Sequence, residues 1–187
     1  MRAHPILCFD VPPTVLDLED ATASMVSESP WWIGRYDEDR RRLYATALFT
    51  GEGRTVHIGI DLGGPVGTPV YAPVDAVVHA AGYNPEPGDY GYTLVLELAH
   101  TGLWLLLGHL SRASVADRTP GQAVSAGEIV GWLGDRSENG DWPPHVHVQL
   151  SRQPPPTHDM PGAVHPRDRT AARELYPDPR ILLGPLY

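Results

Sequence analysis

Four histidines and one aspartate lie in three short apolar segments of the sequence. His57 and Asp61 stand in Val-His-Ile-Gly-Ile-Asp-Leu, His109 stands in Leu-Gly-His-Leu-Ser, and His145 and His147 are separated by one valine. Residues two or four positions apart point to the same face of a β-strand, so each pair is predicted to present its side chains together. Two histidines and one aspartate with an open position form the ligand set of a catalytic zinc site, and the remaining imidazoles are available for proton transfer.

These residues belong to a longer ordered pattern that covers roughly residues 54 to 151. The pattern consists of His57-Ile-Gly-Ile-Asp61, Gly67-Thr-Pro-Val-Tyr-Ala-Pro73, Gly108-His109-Leu-Ser111, Gly121-Gln122-x-Val124-x-x-Gly127-x-x-x-Gly131 and His145-Val-His147-Val148. It resembles the lysostaphin-like (LytM-type) zinc metallopeptidases, many of which cut peptidoglycan cross-bridges or stem peptides. The resemblance implies that His57, Asp61 and His147 are zinc ligands. It implies that His109 and His145 are the catalytic pair that orients and polarises the attacking water.

A narrower resemblance extends over most of the chain. It is carried by Gly34-Arg-Tyr-Asp-Glu-x-Arg40, Asn139-Gly-x-Trp-Pro-Pro144 and Tyr176-Pro-Asp-Pro179. These segments are similar to the peptidase-type domain of multidomain proteins that also carry a kinase-like domain and a pyridoxal-phosphate aminotransferase domain. This resemblance implies a free-standing relative of that domain and an intracellular small-molecule substrate.

The substrate class is less well defined than the metal set. Leu107 stands where the lysostaphin-like pattern usually has a tyrosine, and Leu98 stands where many of its members have a histidine. Arg35, together with Arg40, could pair with a carboxylate or phosphate of a small substrate, or could brace a helix before the core. Trp142 could form the wall of a substrate groove or pack structurally.

Short β-rich runs broken by glycine and proline predict a mainly β protein. The runs are 55–61, 69–72, 75–81, 92–98, 103–109, 128–133 and 145–151. We expect an antiparallel β-sandwich or barrel-like core, of the duplicated hybrid motif type that the resemblance implies. The expected organisation is a helical or irregular preface (1–53), a metallopeptidase β core (54–152) and a C-terminal wrapping tail (153–187).

The preface contains the only helix that the pattern predicts before the core. Apolar residues recur at near-helical spacing between Asp37 and Leu48, and Asp37 is available as an N-cap. On such a helix, Arg40, Arg41 and Arg42 are expected to form the solvated face.

Composition limits the partners that this chain can have. The 187 residues carry a net charge of −9 and no cluster of lysine and arginine, so nucleic acid and anionic membranes are not expected as partners. Cys8 is the only cysteine, which excludes an intrachain disulfide. The N-terminal apolar run is too short for a signal peptide and no segment is long enough to span a bilayer, so we expect a cytoplasmic location.

Three classes of function are compatible with the motif. A zinc hydrolase acting on the amide bond of a peptide or small substrate is favoured, because two extra histidines accompany the metal set. A non-haem iron oxygenase also uses two histidines and one carboxylate, but commonly with a His-x-Asp or His-x-Glu spacing. A non-catalytic binding module is less consistent with a sequence in which all five chemical positions are present.

Overall fold

The computed structural model describes residues 3–19, 25 and 27–187. The strands of the described residues are β1 (Thr14–Val15), β2 (Trp32–Gly34), β3 (Val56–His57), β4 (Ile60–Gly63), β5 (Pro69–Tyr71), β6 (Ala76–Asn84), β7 (Gly91–Leu98), β8 (Leu103–Leu110), β9 (Ala123–Val124), β10 (Ile129–Trp132), β11 (His145–Ser151) and β12 (Ala163–Val164). The α-helices are α1 (Ala47–Thr50), α2 (Arg169–Leu175) and α3 (Arg180–Leu183), and single 3-10 turns form at Arg112–Ser114 and Pro166–Asp168.

An open eight-stranded sheet forms the centre of the fold. Its strand order is β1-β2-β4-β11-β8-β7-β6-β9, and its neighbouring strands are antiparallel except for the β1–β2 pair. Two small antiparallel ladders, β5 with β10 and β3 with β12, accompany it. The expected mainly β fold class is therefore confirmed.

The core lies between the main sheet and the β5–β10 ladder. Leu62, Leu105 and Val148 are buried on the sheet side, and Val70 and Val130 of the ladder belong to the same apolar cluster. The alternation of side chains along each strand sends the intervening residues to the opposite face. That opposite face carries the histidines and the aspartate.

The helix predicted between Asp37 and Leu48 is not found, and α1 forms only a single turn at the end of that segment. Asp37 has a positive φ of 64°, which differs from the extended backbone that an N-cap residue typically adopts. The segment then runs alongside β3, because the Arg40 amide donates to the Thr55 carbonyl and Asp39 forms a bridge with Val56. Arg40, predicted to be solvated, is consequently buried.

The strand predicted over residues 55–61 divides into two. β3 pairs with β12, whereas β4 pairs with β2 and β11 of the main sheet. The prediction that His57 and Asp61 share one strand face is therefore wrong. Gly59 lies at the break, where a Cβ would stand 2.4 Å from the His147 ring, so the close packing of this ring requires a glycine.

The C-terminal segment stabilises β3 from the outside. β12 pairs with it, and Ala172 of α2 packs in one cluster with Val56 and Ile58. The proposed division at residues 53 and 152 stays a prediction. Among the described residues, none of the helices has both the length and the apolar character needed to cross a bilayer.

Candidate metal centre and active site

The site is built on a row of residues that runs across four neighbouring strands. Gly34 of β2 is paired with Asp61 of β4, Asp61 with His147 of β11, and His147 with Gly108 of β8. A Cβ on Gly34 would lie 2.7 Å from the Arg40 guanidinium, and one on Gly108 would lie 2.5 Å from the Tyr90 ring. The two glycines thus leave room for large side chains on either side of the aspartate and histidine.

Three potential ligand atoms converge at this row. His57 Nε2 lies 3.0 Å from His147 Nδ1, His147 Nδ1 lies 3.0 Å from Asp61 Oδ1, and His57 Nε2 lies 3.2 Å from the same oxygen. Ligands bound at ~2.0 Å at tetrahedral angles are separated by roughly 3.3 Å, so the triangle matches one face of a tetrahedral zinc site. All three residues are buried, and together they form a group that could hold a metal ion.

The outer nitrogen of each of these two histidines has an acceptor of its own. His57 Nδ1 is 3.1 Å from the Arg35 carbonyl, and His147 Nε2 is 3.0 Å from Gln149 Oε1. Because these oxygens can only accept, the outer nitrogens carry the hydrogens and the inner nitrogens present lone pairs. Two lone pairs and a carboxylate oxygen then face one another with no proton between them, an arrangement that a cation would stabilise.

The remaining two histidines lie beside this group and are anchored in the same way. His109 Nδ1 donates to the Asn139 carbonyl at 2.8 Å, and His145 Nδ1 donates to the Pro143 carbonyl at 2.7 Å. Their ring centroids are 4.2 Å apart, and His145 Nε2 lies 3.8 Å from Asp61 Oδ1. His109 has a φ of +62°, an uncommon conformation for a residue with a side chain. Both rings therefore keep a free Nε2 that can accept a proton.

Burial sets the charge state of the site. It lowers the pKa of His57 to about 4, an effect that the nearby Arg40 charge strengthens. Burial also lowers the pKa of His145, and it lowers that of His109 well below the usual value. Burial alone would raise the pKa of Asp61, but interactions with His57 and Arg40 hold it well below its ordinary range. An ionised carboxylate beside these neutral imidazoles is the protonation state that metal binding requires.

All five predicted metal and catalytic residues line one cavity of about 230 Å³. Trp142 forms part of its wall, where its indole N–H donates to the Gly88 carbonyl at 3.0 Å. Tyr44 and Phe49 stack on one another at a centroid separation of 4.3 Å and meet Trp142 edge-on. The N-terminal segment thus contributes an aromatic wall to the cavity.

The structure does not bring Arg35 to the cavity as a free cation. Its guanidinium pairs with Glu38 at 2.9 Å and with Asp17 at 3.1 Å, and its contribution to the site is the backbone carbonyl that accepts from His57. Arg40 does reach the cavity, but it donates to Asp61 and Glu38. An anionic substrate would have to displace carboxylates from both arginines.

Two residues beside the histidines were missed by the sequence analysis. The Tyr90 ring lies 5.4 Å from that of His109 and 5.1 Å from that of His147, and its hydroxyl donates to Gln149 Oε1 at 3.2 Å. Tyr90 occupies space beside Gly108, next to Leu107, where the lysostaphin-like pattern usually has a tyrosine. The alternation His145-x-His147-x-Gln149 is the signal that could have identified Gln149 as a third residue on this face.

Comparison with known families agrees with this geometry. The sequence pattern of peptidase family M23 matches residues 55–158, more than half of the chain, and this segment includes all five residues. The chain belongs to peptidase family M23. This family is zinc-dependent, and membership supports a hydrolase of the metallopeptidase type. Membership in a peptidase family argues against the alternative of an iron oxygenase, and it does not test the alternative of a non-catalytic binding module. A search of curated proteins gave no match.

Solved structures with similar folds include several M23 proteins. The catalytic domain of a point mutant of the prophage-encoded M23 protein EnpA from Enterococcus faecalis has 27% identity and a TM-score of 0.51, covering 76% of this chain and 93% of that one. The catalytic domain of lysostaphin, an antimicrobial peptidase from Staphylococcus simulans, has 24% identity and a TM-score of 0.44, covering 60% and 77%. A zinc-containing peptidase from Vibrio cholerae has 27% identity and a TM-score of 0.41. That match covers 51% of this chain and 27% of the Vibrio cholerae chain, so this chain spans about a quarter of the length of that peptidase.

Proposed function

We propose that this protein is a zinc-dependent hydrolase of amide bonds in peptides, with the ion held by His57 Nε2, Asp61 Oδ1 and His147 Nδ1. The observation that carries the proposal is the convergence of these three proton-free atoms within 3.2 Å of one another. A zinc ion bound there would supply Lewis-acid activation of water and of the scissile carbonyl.

His109 and His145 are the groups that we propose to move protons. Each ring is neutral and has its Nδ1 hydrogen committed to a backbone carbonyl, so Nε2 is the only atom that can exchange a proton. One Nε2 takes a proton from water as the water oxygen bonds to the carbonyl carbon. The imidazolium then stabilises the oxyanion and delivers the proton to the nitrogen as the C–N bond breaks. No glutamate base is required.

The shape of the surface supports a peptide rather than a very small amide as substrate. A second cavity of about 380 Å³ adjoins the first and shares Arg54, Asp159, Met160 and Pro161 with it. An extended chain could therefore contact residues beyond the metal centre on one side. The small anionic substrate suggested by Arg35 and Arg40 loses its support, because carboxylates of the protein already occupy both guanidinium groups.

An intracellular site of action is a further part of the proposal. Cys8 is an exposed free thiol, which is more typical of reducing compartments than of the cell exterior. The resemblance to domains fused with kinase-like and aminotransferase domains points the same way. Fractionation of the native host cells with an antibody would test it, and recovery of the protein only outside the cytoplasm would contradict it.

The activity can be tested with the zinc-loaded protein. Pentaglycine, peptidoglycan and a panel of small anionic amides would be incubated in parallel, and new amino groups would be measured. We expect release from at least one of the two peptide substrates, and no release by His109→Ala or His145→Ala proteins. A protein that contains zinc but cleaves none of the peptide substrates would contradict the proposal, and cleavage of small amides alone would overturn the peptide specificity.

A further inference from the structure

A buried arginine lies directly behind the aspartate of the metal centre. Arg40 Nη1 donates to Asp61 Oδ2 at 2.6 Å, and the side chains of the two residues are only 1% and 2% exposed. The other oxygen, Oδ1, faces His57 and His147. The two carboxylate oxygens are thus divided between the guanidinium and the ligand group. Arg40 lies outside residues 55–158, the segment that carries the family pattern.

The guanidinium of Arg40 is itself fixed by several acceptors. A single oxygen, Glu38 Oε2, accepts from Nε at 3.1 Å and from Nη2 at 2.9 Å. The Arg35 carbonyl accepts from Nη2 at 3.3 Å, and the Tyr44 hydroxyl lies 3.4 Å from Nη1. These partners hold the guanidinium with Nη1 directed at Asp61 Oδ2.

The backbone of β2 is shaped to admit this arginine. Gly34 is paired with Asp61, and a Cβ on Gly34 would lie 2.7 Å from Arg40 Nη2 and 3.1 Å from Asp61 Oδ2. Gly34 is a strand residue with no positive φ, so the absence of a side chain is not needed for its conformation. The space is needed for the contact between the guanidinium and the carboxylate.

We propose that Arg40 is a positioning residue of the metal centre, which holds Asp61 so that only Oδ1 faces the ion and the other side remains open to water and substrate. The inference rests on the proposed zinc site. An Asp61 released from Arg40 could rotate and offer both oxygens, which would occupy a position that the reaction needs. A second effect is orientation, because partners behind a ligand commonly contribute about 10- to 100-fold to metal affinity.

The test uses two independent perturbations of the same contact. Arg40→Lys keeps a positive charge but loses the fork, and Gly34→Ala keeps Arg40 but pushes its guanidinium away from the carboxylate. Arg42→Met removes an exposed arginine of the same segment and is the matched control. Zinc affinity would be measured by competition with a chromophoric chelator. The coordination number would be read from the visible absorption bands of the cobalt-substituted protein, and folding would be checked by circular dichroism.

We expect zinc affinity to fall about tenfold or more in Arg40→Lys and in Gly34→Ala, with cobalt bands that shift towards higher coordination. The Arg42→Met protein should match the wild type in both measurements. If folded Arg40→Lys and Gly34→Ala proteins bind zinc as tightly as the wild type with unchanged cobalt bands, Arg40 is only a structural ion pair and the inference is overturned. A wild-type protein that fails to bind zinc would instead overturn the proposed function itself, and this inference with it.

Discussion

Replacing Gln149 with leucine tests how the metal-site histidine on β11 is oriented. Gln149 is 1% exposed, and its Oε1 accepts from His147 Nε2 at 3.0 Å and from the Tyr90 hydroxyl at 3.2 Å. Its side-chain Nε2 donates to the Pro161 carbonyl at 3.3 Å. Because a carbonyl can only accept, the amide nitrogen must face Pro161 and the amide oxygen must face His147. Leucine has a similar volume but removes all three bonds. The His147 ring then loses the partner that keeps its hydrogen on Nε2 and its lone pair on Nδ1.

Two magnitudes follow from these contacts. Loss of an acceptor behind a metal-site histidine weakens metal binding by about 10- to 100-fold, or roughly 1.4 to 2.7 kcal/mol. The buried Tyr90 hydroxyl also loses its partner, which costs about 1–3 kcal/mol of unfolding free energy. For a chain of this size, that loss lowers the melting temperature by roughly 2–4 °C per kcal/mol. The Gln149→Leu protein should therefore fold, melt several degrees earlier and bind zinc more weakly.

The assay is a zinc competition titration on three variants. Gln149→Glu keeps an acceptor for His147 and should retain wild-type affinity or exceed it. Gln153→Leu, at an exposed glutamine near the end of the same strand, is the control for the change of residue type. A folded Gln149→Leu protein that binds zinc as tightly as the wild type would refute the orientation assigned to His147.

Three other perturbations have definite expected outcomes. Chelation of the metal should lower the melting temperature by roughly 10 °C, since an ion present at a thousand times its Kd adds about 4 kcal/mol to the unfolding free energy. An unchanged melting curve would contradict binding at a buried site. Trp142→Ala should raise KM by about tenfold, the equivalent of about 1.4 kcal/mol, because the indole forms a wall of the cavity. The zinc content should stay the same. Steady-state kinetics with an unchanged KM would show that Trp142 does not contact the substrate. Leu105→Ala should lower the unfolding free energy by about 2–5 kcal/mol, since this side chain is fully buried in the core. Denaturant titration should detect the loss. A change below ~1 kcal/mol would contradict the packing of Leu105 in the core.

The strands could be predicted from the sequence because their signal is local. The run predicted over 103–109 became Leu103–Leu110, and the run over 145–151 became His145–Ser151. Alternation within β11 correctly separates its two faces, with Val148 in the core and His147 and Gln149 opposite. The order of the histidine motifs along the chain was sufficient to name the residues that meet in one cavity.

The features that the sequence did not predict depend on contacts between distant segments. The apolar residues of the preface had the spacing of a helix that would leave its arginines in solvent, yet Arg40 is buried because Glu38 and Asp61 both accept from it. Tyr90 lies beside the histidines where the start of β7 packs against the segment around Glu138. A Cβ on Gly91 would lie 1.9 Å from the Glu138 carbonyl, so this glycine allows the close approach. Neither contact has a local periodic signal, since each joins segments that are far apart in the sequence.

The most direct test of the account is the metal content of four proteins purified without added metal: the wild type, His147→Ala, His109→Ala and His145→Ala. Elemental analysis should find about one zinc per chain in the wild type. The His147→Ala protein should lose the metal, because Nδ1 of this ring is one of the three converging atoms. The His109→Ala and His145→Ala proteins should keep zinc and lose turnover. A wild-type protein that contains no metal and cannot be reconstituted, or equal loss of zinc from all three variants, would contradict the assignment.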